Sequence, residues 1–180
     1  VGYAAGASTT TGVKNVLIGA EAGDAITSGN SNIALGYAAL SSDTKGDRNV
    51  AVGLEALTTQ NFTTTTDAYN VGVGHHAGKS ITTGLNNTIV GGLAGDVLTD
   101  ADFNVAIGVE ALTSDTLGSK SIAIGTGALA TQNFTTATDS HNTAVGHLAG
   151  NDVTTGVQNT LIGGLTGDAL TTGSQNVAVG

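Results

Sequence analysis

The chain has 180 residues, of which 28 are glycine and none is proline, cysteine, methionine or tryptophan; aromatics are 3% and charged residues 11%. A net charge of −9 argues against nucleic-acid or anionic-membrane binding, which needs clustered Lys and Arg. The missing cysteines exclude disulfides and thiolate metal sites, and no apolar run is long enough to span a bilayer.

A mean hydropathy of +0.16 with sparse charge argues for a folded chain rather than a solvated coil. With so few large side chains, any interior must be thin and built from Val, Ile, Leu and Ala. The chain opens and closes in mid-pattern, which predicts one repeat domain over residues 1–180, a fragment of a longer fibre with no signal peptide.

In chain order, a partial unit (residues 1–14) is followed by ten related phrases: NVLIG, NIALG, NVAVG, NVGVG, NTIVG, NVAIG, SIAIG, NTAVG, NTLIG and NVAVG. They begin at Asn15, Asn32, Asn49, Asn70, Asn87, Asn104, Ser121, Asn142, Asn159 and Asn176. The spacing is 17 residues, except for 21 after Asn49 and after Ser121. The extra four residues fall in two similar phrases, TTQNFTTTTDAYN from Thr58 and ATQNFTTATDSHN from Ala130, 72 residues apart. Four coils therefore make a 72-residue super-repeat.

Each phrase, branched, apolar and bounded by glycine, predicts a short strand. Two short strands and two corners per coil, stacked in parallel, predict an all-β, parallel β-solenoid of about ten 17- or 21-residue coils. With the Asn as position zero, position 4 is always glycine, position 14 is glycine in the 17-residue units except at Ala101, and position 7 is alanine except at Thr166. These columns predict corners with unusual backbone angles, or sites too crowded for a side chain. Position 8 is Leu in some coils (Leu40, Leu57, Leu112, Leu129). Elsewhere it is Gly, with an apolar residue at position 11 (Ile26, Ile81, Leu98, Val153, Leu170), except in the partial first coil, which carries Thr9 there. One bulky side chain per coil is expected to fill the interior.

Positions 1 and 3 are expected to face that interior. Position 2 then faces out, yet it is apolar throughout, and a strand apolar on both faces is buried on both. Its small residues, Ala34, Ala51, Gly72, Ala106, Ala123, Ala144 and Ala178, are therefore predicted as an oligomer face.

The phrase Asn/Ser-Val-Ala-Ile/Val-Gly with its small-residue turn resembles the head repeats of trimeric autotransporter adhesins. The longer unit, as in NVAIGVEALTSDTLGSKS from Asn104, is similar to repeats of phage tail-fibre and bacterial surface proteins. The resemblance covers essentially the whole chain. It implies a left-handed β-roll, a homotrimer with the first strand near the three-fold axis, and an extracellular location on a cell surface or a virion. The function it implies is a non-enzymatic structural or adhesive fibre segment. The alternative is a phage tail-fibre shaft or receptor-binding segment, with a host surface glycan or protein as the outside partner.

The asparagines Asn15, Asn32, Asn49, Asn70, Asn87, Asn104, Asn142, Asn159 and Asn176 are read as a structural ladder. His75, His76, His141 and His147 read as surface or corner residues, and Asp24, Asp96 and Asp168, which recur every 72 residues, carry only a weak calcium signal. No metal or other cofactor is expected. No nucleophile, base and acid break the periodicity, so no catalytic role is predicted. An ice- or ion-binding solenoid is the remaining class, but Thr concentrates in turns and inserts rather than on the strand face. The inserts, with Asn61, Phe62, Thr63, Asn133, Phe134 and Thr135, are the expected surface-contact loops. Each phenylalanine is expected to fold back as a plug or to offer an aromatic platform. Asn61 and Asn133 also sit in Asn-Phe-Thr sequons.

Overall fold

The structure is a computed structural model that describes residues 2–180. Among the described residues there is no helix. Each phrase forms one three-residue strand: Val16–Ile18, Ile33–Leu35, Val50–Val52, Val71–Val73, Thr88–Val90, Val105–Ile107, Ile122–Ile124, Thr143–Val145, Thr160–Ile162 and Val177–Val179. The ten strands form one sheet in chain order, all parallel, and the molecule is a parallel β-solenoid of about ten turns. The inserts do not disturb the register: Val50 pairs with Val71, and Ile122 with Thr143.

A second strand in every coil is not found. Two-residue strands pair only where an insert lengthens the coil, Gly46–Asp47 with Thr66–Asp67 and Gly118–Ser119 with Thr138–Asp139. Elsewhere the rest of the coil is turns and bends, with left-handed residues at positions 6 and 8, such as Glu55 (φ 53°) and Leu57 (φ 50°). These residues aim their N–H groups along the axis in opposite directions. Glu55 donates back to Tyr37 O (2.9 Å), and Leu57 donates forward to Ala77 O (3.1 Å). The backbone is thus satisfied from coil to coil without a second full strand.

Position 4 must be glycine for two reasons. Gly91 sits at φ +137°, and a Cβ there would lie 2.4 Å from Gly108 O in the next coil. At position 14 close approach alone decides: a Cβ on Gly29 would lie 2.6 Å from Gly46 O.

The two faces of the strand are the reverse of the expectation. Ala34, Ala51, Gly72, Ala106, Ala123 and Ala144 are buried, and Ala178 is half-buried against the same core. The proposed oligomer face is therefore the chain's own interior. Positions 1 and 3 point outward, and Val16, Ile18, Ile33, Leu35, Ile107, Ile122 and Ile162 are each 37–47% exposed. The cause is width. The interior admits little bulk, and where position 8 is leucine, position 2 must yield to it. A Cβ on Gly72 would lie 2.8 Å from Leu57 Cγ. Where position 8 is glycine, bulk comes instead from positions 2 and 11. A Cβ on Gly95 would meet Leu98 at 2.9 Å and Ile89 at 3.2 Å.

Candidate functional site: insert coils and an exposed strand face

The asparagine column is a one-way hydrogen-bond ladder. The backbone N–H of Asn32 donates to Asn15 Oδ1 (2.9 Å), that of Asn87 to Asn70 Oδ1 (2.9 Å) and that of Asn104 to Asn87 Oδ1 (3.0 Å). Most rungs also donate from Nδ2 to the position-14 carbonyl of their own coil, as Asn32 does to Gly46 O (2.8 Å). These side chains are buried along most of the column, so each rung satisfies backbone groups that water cannot reach. Ser121 is the exception. Its hydroxyl meets the Ser140 hydroxyl, and the next N–H, that of Asn142, reaches Ser140 Oγ only at 3.5 Å.

A branch leaves this ladder at each insert. Asn70 Nδ2 donates to Gln60 Oε1 (2.9 Å), and Gln60 Nε2 donates to Asp43 Oδ2 (2.6 Å). Asp43 Oδ1 accepts the N–H groups of Gly46 (3.0 Å) and Phe62 (3.1 Å). The second copy repeats this with Asn142, Gln132 and Asp115, whose Oδ1 accepts from Gly118 and Phe134. All six residues are buried. Burial pushes the carboxyls of Asp43 and Asp115 above the usual range, against the downward pull of their N–H donors. These carboxylates hold the insert: by gripping the N–H of Phe62 or Phe134 they turn the ring inward, leaving it 6% or 7% exposed. Both phenylalanines are plugs, not surface platforms. Of the expected contact loops, Asn61, Thr63, Asn133 and Thr135 are exposed.

The sequence reading missed this network, although a signal existed. Position 11 is apolar in the glycine-type coils, but reads Asp43, Gln60, Asp115 and Gln132 in the leucine-type coils. It also missed a second ladder at position 15. There Val13 N–H donates to Asn30 Oδ1 (3.0 Å), Asn30 N–H to Asp47 Oδ1 (2.7 Å) and Leu85 N–H to Asp102 Oδ1 (2.7 Å). The turn threonines form a column at position 12. Thr27 and Thr99 donate their hydroxyls to the carbonyls of Thr44 and Thr116 (both 3.0 Å), so these hydroxyls serve coil stacking.

The histidines do not converge. His75 stacks on His76 at 3.7 Å, and His76 Nε2 lies 3.2 Å from Glu55, which also binds Lys79 Nζ at 2.6 Å. Partial burial, with Lys79 and His75 nearby, lowers the His76 pKa; the Lys79 hydrogen bond lowers that of Glu55. His141 and His147 are exposed elsewhere. Asp24, Asp96 and Asp168 have different settings: Asp24 keeps a buried Oδ1 without a partner, Asp96 accepts the Thr113 hydroxyl (2.6 Å) and Asp168 is exposed. No group of three His, Cys, Asp or Glu side chains able to hold a metal forms among the described residues.

The exposed strand face spans all ten strands of the sheet. Position 1 is Val, Ile or Thr and position 3 is Val, Ile or Leu in every coil, all pointing outward and at least partly exposed. Tyr3, Tyr37, Leu54 and Val109 extend it beyond the position-4 corner, and Tyr69 and Phe103 border its other side. Comparison with protein-family models, with curated proteins and with solved structures finds no match.

Proposed function

We propose that this segment is a non-enzymatic fibre piece that works by side-by-side association with copies of itself. In this reading it is a rigid homotrimeric β-roll, presented outside the cell, on a cell surface or a virion, for attachment to a host glycan or protein. The observation that carries the reading is the apolar strand face. It runs from Val16 to Val179, apolar throughout in the position-3 column and interrupted in the position-1 column only by Thr88, Thr143 and Thr160, and contiguous exposed apolar surface of this extent marks an interaction site. Its residues are nearly all β-branched and sit on a stiff sheet, so little side-chain freedom is lost on packing. A thin interior also leaves one coil stack in need of further burial. The outward-facing residues 63–65 and 135–137 lie away from this face, free to meet an outside partner.

Light scattering coupled to size exclusion tests the association. The expected mass is three times the chain mass of 17.5 kDa. Val73→Lys with Ile107→Lys places two charges on the face and is expected to yield folded monomers. A wild-type monomer at micromolar concentration, or a mass unmoved by this double substitution, would refute the reading.

A further inference from the structure

The threonine column at position 12 changes identity at the two insert coils. Thr10, Thr27, Thr82, Thr99 and Thr154 each donate a hydroxyl to the carbonyl of the equivalent residue one coil on. The insert coils carry Asn61 and Asn133 in this column. Their amides do not continue it. Thr59 and Thr131 make the hydroxyl bonds to the next coil instead, to Lys79 O (2.7 Å) and Asn151 O (2.6 Å). Asn61 Oδ1 accepts the Thr44 hydroxyl (3.2 Å) and Asn133 Oδ1 accepts that of Thr116 (3.3 Å). Neither Nδ2 donates a hydrogen bond among the described residues. The hydroxyls of Thr63 and Thr135, two residues on, likewise bond to nothing among them. Each insert thus exposes an amide nitrogen and a hydroxyl that the fold does not use.

An Asn-X-Thr sequon alone is a weak signal in a chain this rich in Asn and Thr, and a third copy supplies the contrast. Asn86-Asn87-Thr88 has the same pattern. There the N–H of Asn86 donates to Ala68 O (2.8 Å), that of Asn87 to Asn70 Oδ1 (2.9 Å) and that of Thr88 to Asn104 O (2.8 Å). Asn87 is a buried ladder rung and Thr88 begins a strand. Drawing this segment into an enzyme would break the ladder and the sheet together. At the inserts, Phe62 and Phe134 are turned inward, and the Asn and Thr on either side of each ring are exposed. The N–H groups of residues 63–65 and 135–137 donate no hydrogen bond among the described residues. That side of each insert can leave the coil surface without breaking a coil-to-coil bond of its own.

We infer that Asn61 and Asn133 are a pair of N-glycosylation sites, and that the fold selects them over Asn86. The substrate is a sugar activated as its nucleotide diphosphate ester, brought by a separate transferase that reads the hydroxyl of Thr63 or Thr135. The asparagine Nδ2 attacks the anomeric carbon of that sugar. An N–C bond forms, the C–O bond to the diphosphate breaks with its electron pair leaving on the diphosphate, and one amide proton passes to solvent. The two sugars then stand roughly 19 Å apart along the axis, from four coil rises of about 4.8 Å. This modification is independent of the self-association proposed above.

The test incubates the folded chain with a soluble, sequon-specific N-glycosyltransferase and uridine diphosphate glucose, and maps the product by glycopeptide mass spectrometry. One hexose is expected on each of Asn61 and Asn133, and none on Asn86. A tryptic digest cut at Arg48, Lys79 and Lys120 puts the three sequons on separate peptides, and these should all be modified. Thr63→Ala should erase the hexose at Asn61, spare the one at Asn133 and leave the circular dichroism melt unchanged, because the Thr63 hydroxyl holds nothing in the fold. Asn61→Gln should give the same pattern. A folded chain left bare at Asn61 and Asn133 overturns the inference, whether or not the digest is modified. Modification of Asn86 in the folded chain as readily as of Asn61 overturns the selection by the fold. A Thr63→Ala chain still modified at Asn61, or with a lowered melt, overturns the role given to that hydroxyl.

Discussion

Ser121 and Ser140 stand where the preceding super-repeat has Asn49 and Ala68. The exchange conserves space: one amide and one methyl are replaced by two hydroxyls, which bond to each other. Ser121→Asn alone should overpack against Ser140 and destabilise by about 1–3 kcal/mol in urea melts. Ser121→Asn with Ser140→Ala should recover wild-type stability or exceed it, because a full rung then spans Asn104 to Asn142. A double variant no better than the single would break the equivalence. Asp43 and Asp115 make a prediction in pH. Their folded pKa values are raised, so the native state binds the proton more tightly than the unfolded chain. Their contribution to stability is therefore largest in acid, declines as pH rises from the ordinary carboxylate value through the raised one, and then levels off. Asp43→Asn with Asp115→Asn should remove that decline from a series of urea midpoints. It should also lower stability overall, by about 1–3 kcal/mol per site, since the new amide must aim a donor at another N–H. Identical pH profiles for the two proteins would contradict the assignment.

Among the elements, strand positions and stacking register were legible because Asn at position zero and Gly at position 4 mark every coil. The ladder was legible for the same reason. The inward face was not. In a thick core the larger residue of an alternating pair goes inside, a rule that would bury Ile18, Val52 and the rest of their column. Here the coil is too narrow, so position 2, mostly alanine, goes in and the branched residues of positions 1 and 3 go out. The near-constant alanine at position 7 already signalled that crowding, and the same logic applies to position 2. The expected second strand failed because left-handed residues such as Leu57 and Leu112 let turn backbone make the coil-to-coil bonds. Left-handed leucine is rare enough that sequence alone does not suggest it. The insert network was hidden because Asp43 and Gln60 are partners only once coils stack. Truncating a plug, Phe62→Ala or Phe134→Ala, should cost about 3–4 kcal/mol, measured by chemical denaturation. It should also expose residues 63–66 or 135–138 to limited proteolysis, because the carboxylate alone does not fill the space of the ring.

For the whole molecule, each coil touches only its neighbours, so stability is approximately a sum of coil and joint contributions. Removing residues 70–141, one complete super-repeat, joins Tyr69 to Asn142 with every column preserved. That shortened chain should fold with an unchanged circular dichroism shape and a modestly lower melting point. Removing a length that is not a whole number of coils should abolish the cooperative transition. An equal loss in both deletions would mean that the columns do not govern folding. The interrupted rung has a mechanical consequence. A pull along the long axis loads the coil joints in series, so the fibre parts at its softest joint rather than stretching evenly. At the step from Ser121 to Asn142 the rung is missing: the Asn142 N–H has only Ser140 Oγ, two residues before it, at 3.5 Å, whereas the Ser121 and Asn159 N–H groups each reach the preceding rung at 2.9 Å. The joint that is one rung short is the one expected to part first under tension, leaving a stack of coils on either side instead of an unravelled chain.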